Sequence, residues 1–158
     1  MRKLGPSPRV YGVALRDDHV LLVRATRTDD GKDLWWLPGG GVDFGETVED
    51  ALYREFVEET GLAVTQHHLL GVSDDVRKRQ NGDRVHTVRV LYLVSLADGE
   101  PRHETQGTTD LAAWTPLSIA AQIRMAPYAT DAINRATAAL AGERPDFRNL
   151  LAWTKRPF

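Results

Sequence analysis

The fifteen residues from Glu46 to Thr60 hold neither proline nor glycine, while a glycine run, Gly39-Gly40-Gly41, precedes them and Gly61 follows. This stretch reads as one helix starting near Glu46-Thr47, and Gly61 suits the left-handed position just past a helix end. At roughly 100° of rotation per residue, Glu55, Glu58 and Glu59 fall on one flank and continue an apolar stripe begun by Val48, Ala51 and Leu52. Helix stability does not favour this arrangement. Glu58 and Glu59 lie in the last turn, where the helix dipole opposes anions, and Glu55 and Glu59 repel at i,i+4. A divalent cation reverses those penalties, since it demands hard oxygen ligands and becomes the largest local charge. The competing reading is a solvated acidic face paired with Arg54.

The spacing of the whole segment decides between them. Gly40, five residues, Glu46, seven residues, then Arg54-Glu55-Phe56-Val57-Glu58-Glu59-Thr60-Gly61-Leu62 resembles the Nudix box, G-x5-E-x7-R-E-U-x-E-E-x-G-U with U a bulky aliphatic residue. Every fixed position is met, and Phe56 is an unusual occupant of the first U. Trp35-Trp36-Leu37-Pro38-Gly39-Gly40 resembles the strand and glycine turn that lead into the box.

The resemblance implies an Mg2+-dependent pyrophosphohydrolase, with Mn2+ as a substitute, acting on nucleoside di- or triphosphate derivatives. It assigns metal binding to Glu55, Glu58, Glu59 and the carbonyl of Gly39, and catalysis to Glu55, Glu58 and Arg54, the last holding Glu55. Glu55 is the first choice of general base. Glu104, in a later loop, resembles in placement a glutamate that joins the metals or acts as base in some members, with Asp110 a weaker alternative for that role. Glu46 is expected to be structural, an acid near the helix N-terminus where the dipole favours it. Arg9 and Arg24 on the early strands are candidate phosphate contacts, and Trp35 or Trp36 a stacking platform, with Trp35 the choice for substrate binding. Neither the ADP-ribose type proline nor the diadenosine-polyphosphate type tyrosine is visible beyond the box, where Arg77, Lys78, Arg79 and Gln80 stand instead. The rival reading is a non-catalytic Nudix module that binds a nucleotide derivative such as ADP-ribose to regulate a partner.

Around the box, Val10 to Leu15 and His19 to Arg24 read as strands about an Asp17-Asp18 turn, the second with a Val20-Leu21-Leu22-Val23 run suited to a buried sheet. Thr26 to Lys32 is a polar loop. Leu69 to Val76 and Val85 to Leu96 are expected strands flanking an Asn81-Gly82 hairpin turn. A loop from Asp98 to Asp110 leads to a short strand at Ala113-Trp114, then helices over Ser118 to Met125 and Tyr128 to Leu140, ended by Gly142. Strands flanked by helices argue for an α/β/α sandwich, and the resemblance implies the same fold with a mixed sheet. At 158 residues the expectation is a single domain over 1–158, with the aromatic stretch 143–158 as an extension packing on it or on a partner in a homodimer.

A net charge of −2 offers no general attraction to nucleic acid or anionic membrane. With no cysteine, disulfides and thiolate metal sites are excluded. No apolar run reaches the length of a membrane span, and Gly5, Pro6 and Pro8 interrupt the N-terminus where a signal peptide needs its apolar core, so a cytoplasmic location is expected.

Overall fold

The long strand β1 (Lys3–Arg16) organises the sheet in this computed structural model, which describes residues 3–25, 31–78, 81–102 and 109–142. Asp17, at φ 51°, turns the chain into β2 (His19–Ala25), and short β3 (Trp35–Trp36) and β4 (Gly39–Gly41) follow. Helix α1 (Val48–Thr60) precedes β5 (Val64–Lys78), β6 (Arg84–Leu96) and β7 (Thr109–Pro116), and α2 (Leu117–Ala120) and α3 (Pro127–Leu140) complete the order. The strands run β3-β2-β1-β6-β5, with β4 also paired to β1 and β7 to β2. Strands β1 and β6 are parallel and the other pairs antiparallel, so the sheet is mixed.

Strand alternation divides the core into two layers. Val10, Ala14 and Leu21 pack with Ala51, Leu52 and Phe56 of α1 on one face, while Tyr11, Val13, Val20 and Leu22 pack with Tyr128, Ala129, Ala132 and Ile133 of α3 on the other. The Val20–Val23 run is wholly buried, as its continuous apolar character predicts. Helices on both faces of a mixed sheet give the expected α/β/α arrangement.

The helix that carries the glutamates is bounded as expected. Thr47 is its N-cap, accepting the Asp50 N–H at 3.1 Å, and Gly61 closes it at φ 72° with its N–H on the Val57 carbonyl. Tyr92 on β6 donates its hydroxyl to Glu49 at 2.9 Å, tying the first turn to the sheet.

Five elements differ from expectation. The strands extend beyond the predicted ends, because β1 and β6 pair almost throughout their length and β5 follows β6 from Leu96 to Arg84. The strand at Ala113-Trp114 runs from Thr109 to Pro116, paired along β2, so Asp110 belongs to a strand. The helix expected over Ser118 to Met125 ends at Ala120. Beyond it Trp35 pairs with the 124–126 backbone, donating to the Arg124 carbonyl and accepting from the Ala126 N–H. Ala126 is extended (ψ 132°), as a residue before proline prefers. Residues 26–30 of the first expected loop, Arg79 and Gln80, Glu104, and the 143–158 extension lie outside the described residues. No described helix is long and apolar enough to cross a membrane.

Candidate active site

Two elements make the site: the glycine arm of β4 and the C-terminal half of α1. Gly39 has φ 140°, and a Cβ there would collide with the Val10 carbonyl oxygen and lie 2.7 Å from the Tyr11 Cα. Only glycine lets the arm lie this close to β1. At Gly40 a Cβ would fall among the carboxylate atoms of Glu55. The bare backbone is therefore the cradle in which the Glu55 carboxylate rests.

Arg54 is the hub. Its Nε and NH2 donate to the two oxygens of Glu46, each at 2.9 Å, and NH2 also reaches the Gly41 carbonyl at 3.0 Å. The remaining nitrogen, NH1, donates to Glu55 Oε1 at 2.8 Å and to Glu58 Oε2 at 3.3 Å. Glu46, expected to interact with the helix dipole, instead precedes the N-cap and turns its carboxylate to Arg54 and to the Asp43 N–H at 3.1 Å. Those bonds, with Arg54 foremost, hold its pKa down to about 2. Glu46 drives the Arg54 guanidinium further up in turn.

The three glutamates sit in different surroundings. Glu59 is buried at 4 % exposure and its Oε2 accepts the Gly39 N–H at 2.9 Å, pinning the arm to the helix. The Glu55 side chain is mostly buried, and desolvation raises its pKa against the lowering pull of Arg54. Glu58 is half-exposed at the rim. All the donors are hard carboxylate oxygens on one helix end beside a glycine backbone, which suits a divalent cation with oxygen preference. Among the described residues no three acidic or histidine side chains are already gathered into a ligand cluster.

Of the other sequence candidates, Arg9 is drawn to this region. It is the Cα partner of Gly41, donates to the Tyr11 hydroxyl at 3.3 Å, and interacts electrostatically with Glu55. Arg24 and Asp110 are instead joined to each other by a two-point pair of 2.9 and 3.0 Å, with Asp33 at 3.6 Å from Arg24. Asp110 on β7 is thus engaged with Arg24 on β2. Trp35 pairs with Arg24 in register, its ring 6.0 Å from the guanidinium carbon, and packs in part against the α3-side core. Sequence reasoning missed the Gly41 carbonyl and the Asp43 N–H, backbone groups that no side-chain pattern announces. It also missed Arg89, buried to 2 %, whose signal was a lone charge inside Val88-Arg89-Val90-Leu91.

A family model of the NUDIX domain matches residues 6–136. The chain is 35 % identical over 97 residues to an ADP-ribose pyrophosphatase of Methanocaldococcus jannaschii, an alignment covering 61 % of this chain and 55 % of that protein. It is 40 % identical over 93 residues to a putative 8-oxo-dGTP diphosphatase 2 of Mycobacterium tuberculosis, covering 59 % and 63 %. The crystal structure of a MutT NUDIX hydrolase from Burkholderia pseudomallei superposes with a TM-score of 0.69 at 29 % identity, covering 84 % of this chain and 98 % of that one. The alignments thus span less than two thirds of the length of either of these two relatives.

Proposed function

This chain belongs to the NUDIX domain family, and on that premise we propose that it is an Mg2+-dependent hydrolase that cleaves a phosphoanhydride bond of a nucleoside di- or triphosphate derivative by attack of water on phosphorus. The observation that carries the reading is the Arg54 hub. One guanidinium fixed by Glu46 and the Gly41 carbonyl presents Glu55 and Glu58 side by side, while Glu59 locks the glycine arm beneath them. A structural ion pair with Arg54 needs one acid, and the site has four. The relatives named for ADP-ribose and 8-oxo-dGTP support a nucleotide diphosphate core as the common part of the substrate.

Glu55, Glu58, Glu59 and the Gly39 carbonyl would hold the cation. When bound it neutralises charge on phosphate oxygens and acts as a Lewis acid toward water. Glu55 serves as general base: Arg54 holds one of its oxygens, which leaves the other to take the proton of the attacking water. Glu59 acts on the arm rather than on the proton, keeping Gly39 in place through its N–H. Arg9 is the phosphate contact nearest the glutamates. The charge of Arg24 is offset by Asp110 and Asp33, which leaves it the lesser role of flanking Trp35.

A phosphate-release screen over nucleotide sugars, dinucleoside polyphosphates and nucleoside triphosphates, with and without Mg2+, tests the reading. Cation-dependent release from at least one class is expected. Binding across the panel without turnover would overturn it in favour of a regulatory nucleotide-binding module.

A further inference from the structure

On the sheet face covered by α3, two arginines stand side by side. Arg9 on β1 and Arg89 on β6 are Cα partners in the parallel pairing, and Ser73 on β5 is the partner of Arg89 from the other side. One row of the sheet therefore carries Arg9, Arg89 and Ser73 toward the same face. Like charges directly opposite in a sheet are unfavourable, and a buried guanidinium is costly unless it is both paired and hydrogen-bonded. Arg89 and Ser73 are 2 % and 4 % exposed.

The surroundings satisfy this row only in part. Asp75 places one carboxylate oxygen 2.9 Å from Arg89 NH1, and the Tyr128 ring lies 4.6 Å from the guanidinium carbon. Arg9 Nε, Arg89 Nε and Ser73 Oγ are buried with no hydrogen-bond partner among the described residues. Glu55 acts on Arg9 and Asp75 on Arg89, so the row is not short of negative charge, but Arg9 Nε, Arg89 Nε and Ser73 Oγ remain donors without an acceptor, which is the chemistry of a receptor for a tetrahedral or planar oxyanion. The row ends at the glycine arm, since Arg9 also pairs with Gly41 on β4. Arg9 also interacts electrostatically with Glu55, which joins the row to the glutamate site.

We propose that Arg9, Arg89 and Ser73 form an anion subsite that holds a phosphoryl group of the substrate other than the one attacked. The preferred substrates are then those that carry an additional phosphate beyond the scissile pair. The word substrate rests on the hydrolase reading above; the subsite itself is a claim about phosphate binding and is tested without turnover.

Inorganic phosphate and pyrophosphate are titrated separately into the metal-free full chain, following Tm and the arginine Nε–H resonances. Both ligands should raise Tm and shift the Arg9 and Arg89 resonances. Arg89→Met and Arg9→Met should each weaken binding by about tenfold or more, and Ser73→Ala by a smaller factor. Unliganded Arg89→Met leaves Asp75 without its partner and should melt below the parent. If that variant does not fold, Arg9→Met and Ser73→Ala carry the test. An unmoved parent Tm, equal binding in parent and variants, or a response to unphosphorylated guanosine equal to that to phosphate would overturn the subsite. Phosphate binding lost in the variants without hydrolysis of any nucleotide keeps the subsite and removes the hydrolase reading. Hydrolysis with KM unchanged in Arg9→Met and Arg89→Met does the reverse.

Discussion

Arg54 grips Glu46 with two near-parallel hydrogen bonds, Nε to Oε1 and NH2 to Oε2, each 2.9 Å long. The pair joins the loop before α1 to the middle of the helix, and its remaining nitrogen carries Glu55 and Glu58. A lysine keeps the charge and loses the fork. Arg54→Lys is expected to lower turnover by about tenfold or more, with a stability loss of about 1 kcal/mol because the pair is partly solvent-screened. Turnover kinetics beside urea denaturation check both.

The same pair sets a pH dependence. The Glu46 pKa is lowered from 4.5 to about 2, by Arg54 first and the Asp43 N–H second. A carboxyl with a depressed folded-state pKa contributes stability that is fully present above its unfolded pKa and is lost as pH falls through the folded one. The parent should therefore lose this contribution between about pH 4.5 and 2. In Glu46→Gln the stability difference from the parent should shrink across that window, as read from Tm at stepped pH.

Glu59 makes a different prediction because it is buried. Its Oε2 accepts the Gly39 N–H at 2.9 Å, so Glu59→Ala strands a donor and should cost about 1–3 kcal/mol. Glu59→Gln retains an acceptor and should cost less. Both variants should lose cation-dependent stabilisation, measured as the Tm shift on adding Mg2+. Equal melting of the two unliganded variants would contradict the structural role of the bond.

Much of this was legible because helix punctuation is local. Thr47 and Gly61 bound α1 where the glycine pattern and the capping chemistry placed it, and the unbroken Val20–Val23 run announced a strand covered on both faces. Phe56, the unusual occupant of an aliphatic position, is explained only in three dimensions. A Cβ at Gly12 would lie 2.6 Å from the Phe56 ring, so the missing side chain on β1 makes room for the aromatic one on α1. The ends of β5, β6 and β7 were not legible, since pairing partners set them rather than propensity. The short α2 was overridden by the pairing of Trp35 with the 124–126 backbone. Arg24 read as a phosphate contact because nothing in the sequence shows that Asp110 folds against it.

The most direct test of the central claim is turnover of Glu58→Gln against the parent, with and without Mg2+, on the best substrate of the phosphate-release screen. Glu58 is half-exposed, so the amide should leave Tm close to the parent's while removing a charged ligand. Mg2+-dependent turnover should fall by at least about 10²-fold. Parent-like Mg2+-dependent turnover in the folded variant would contradict it.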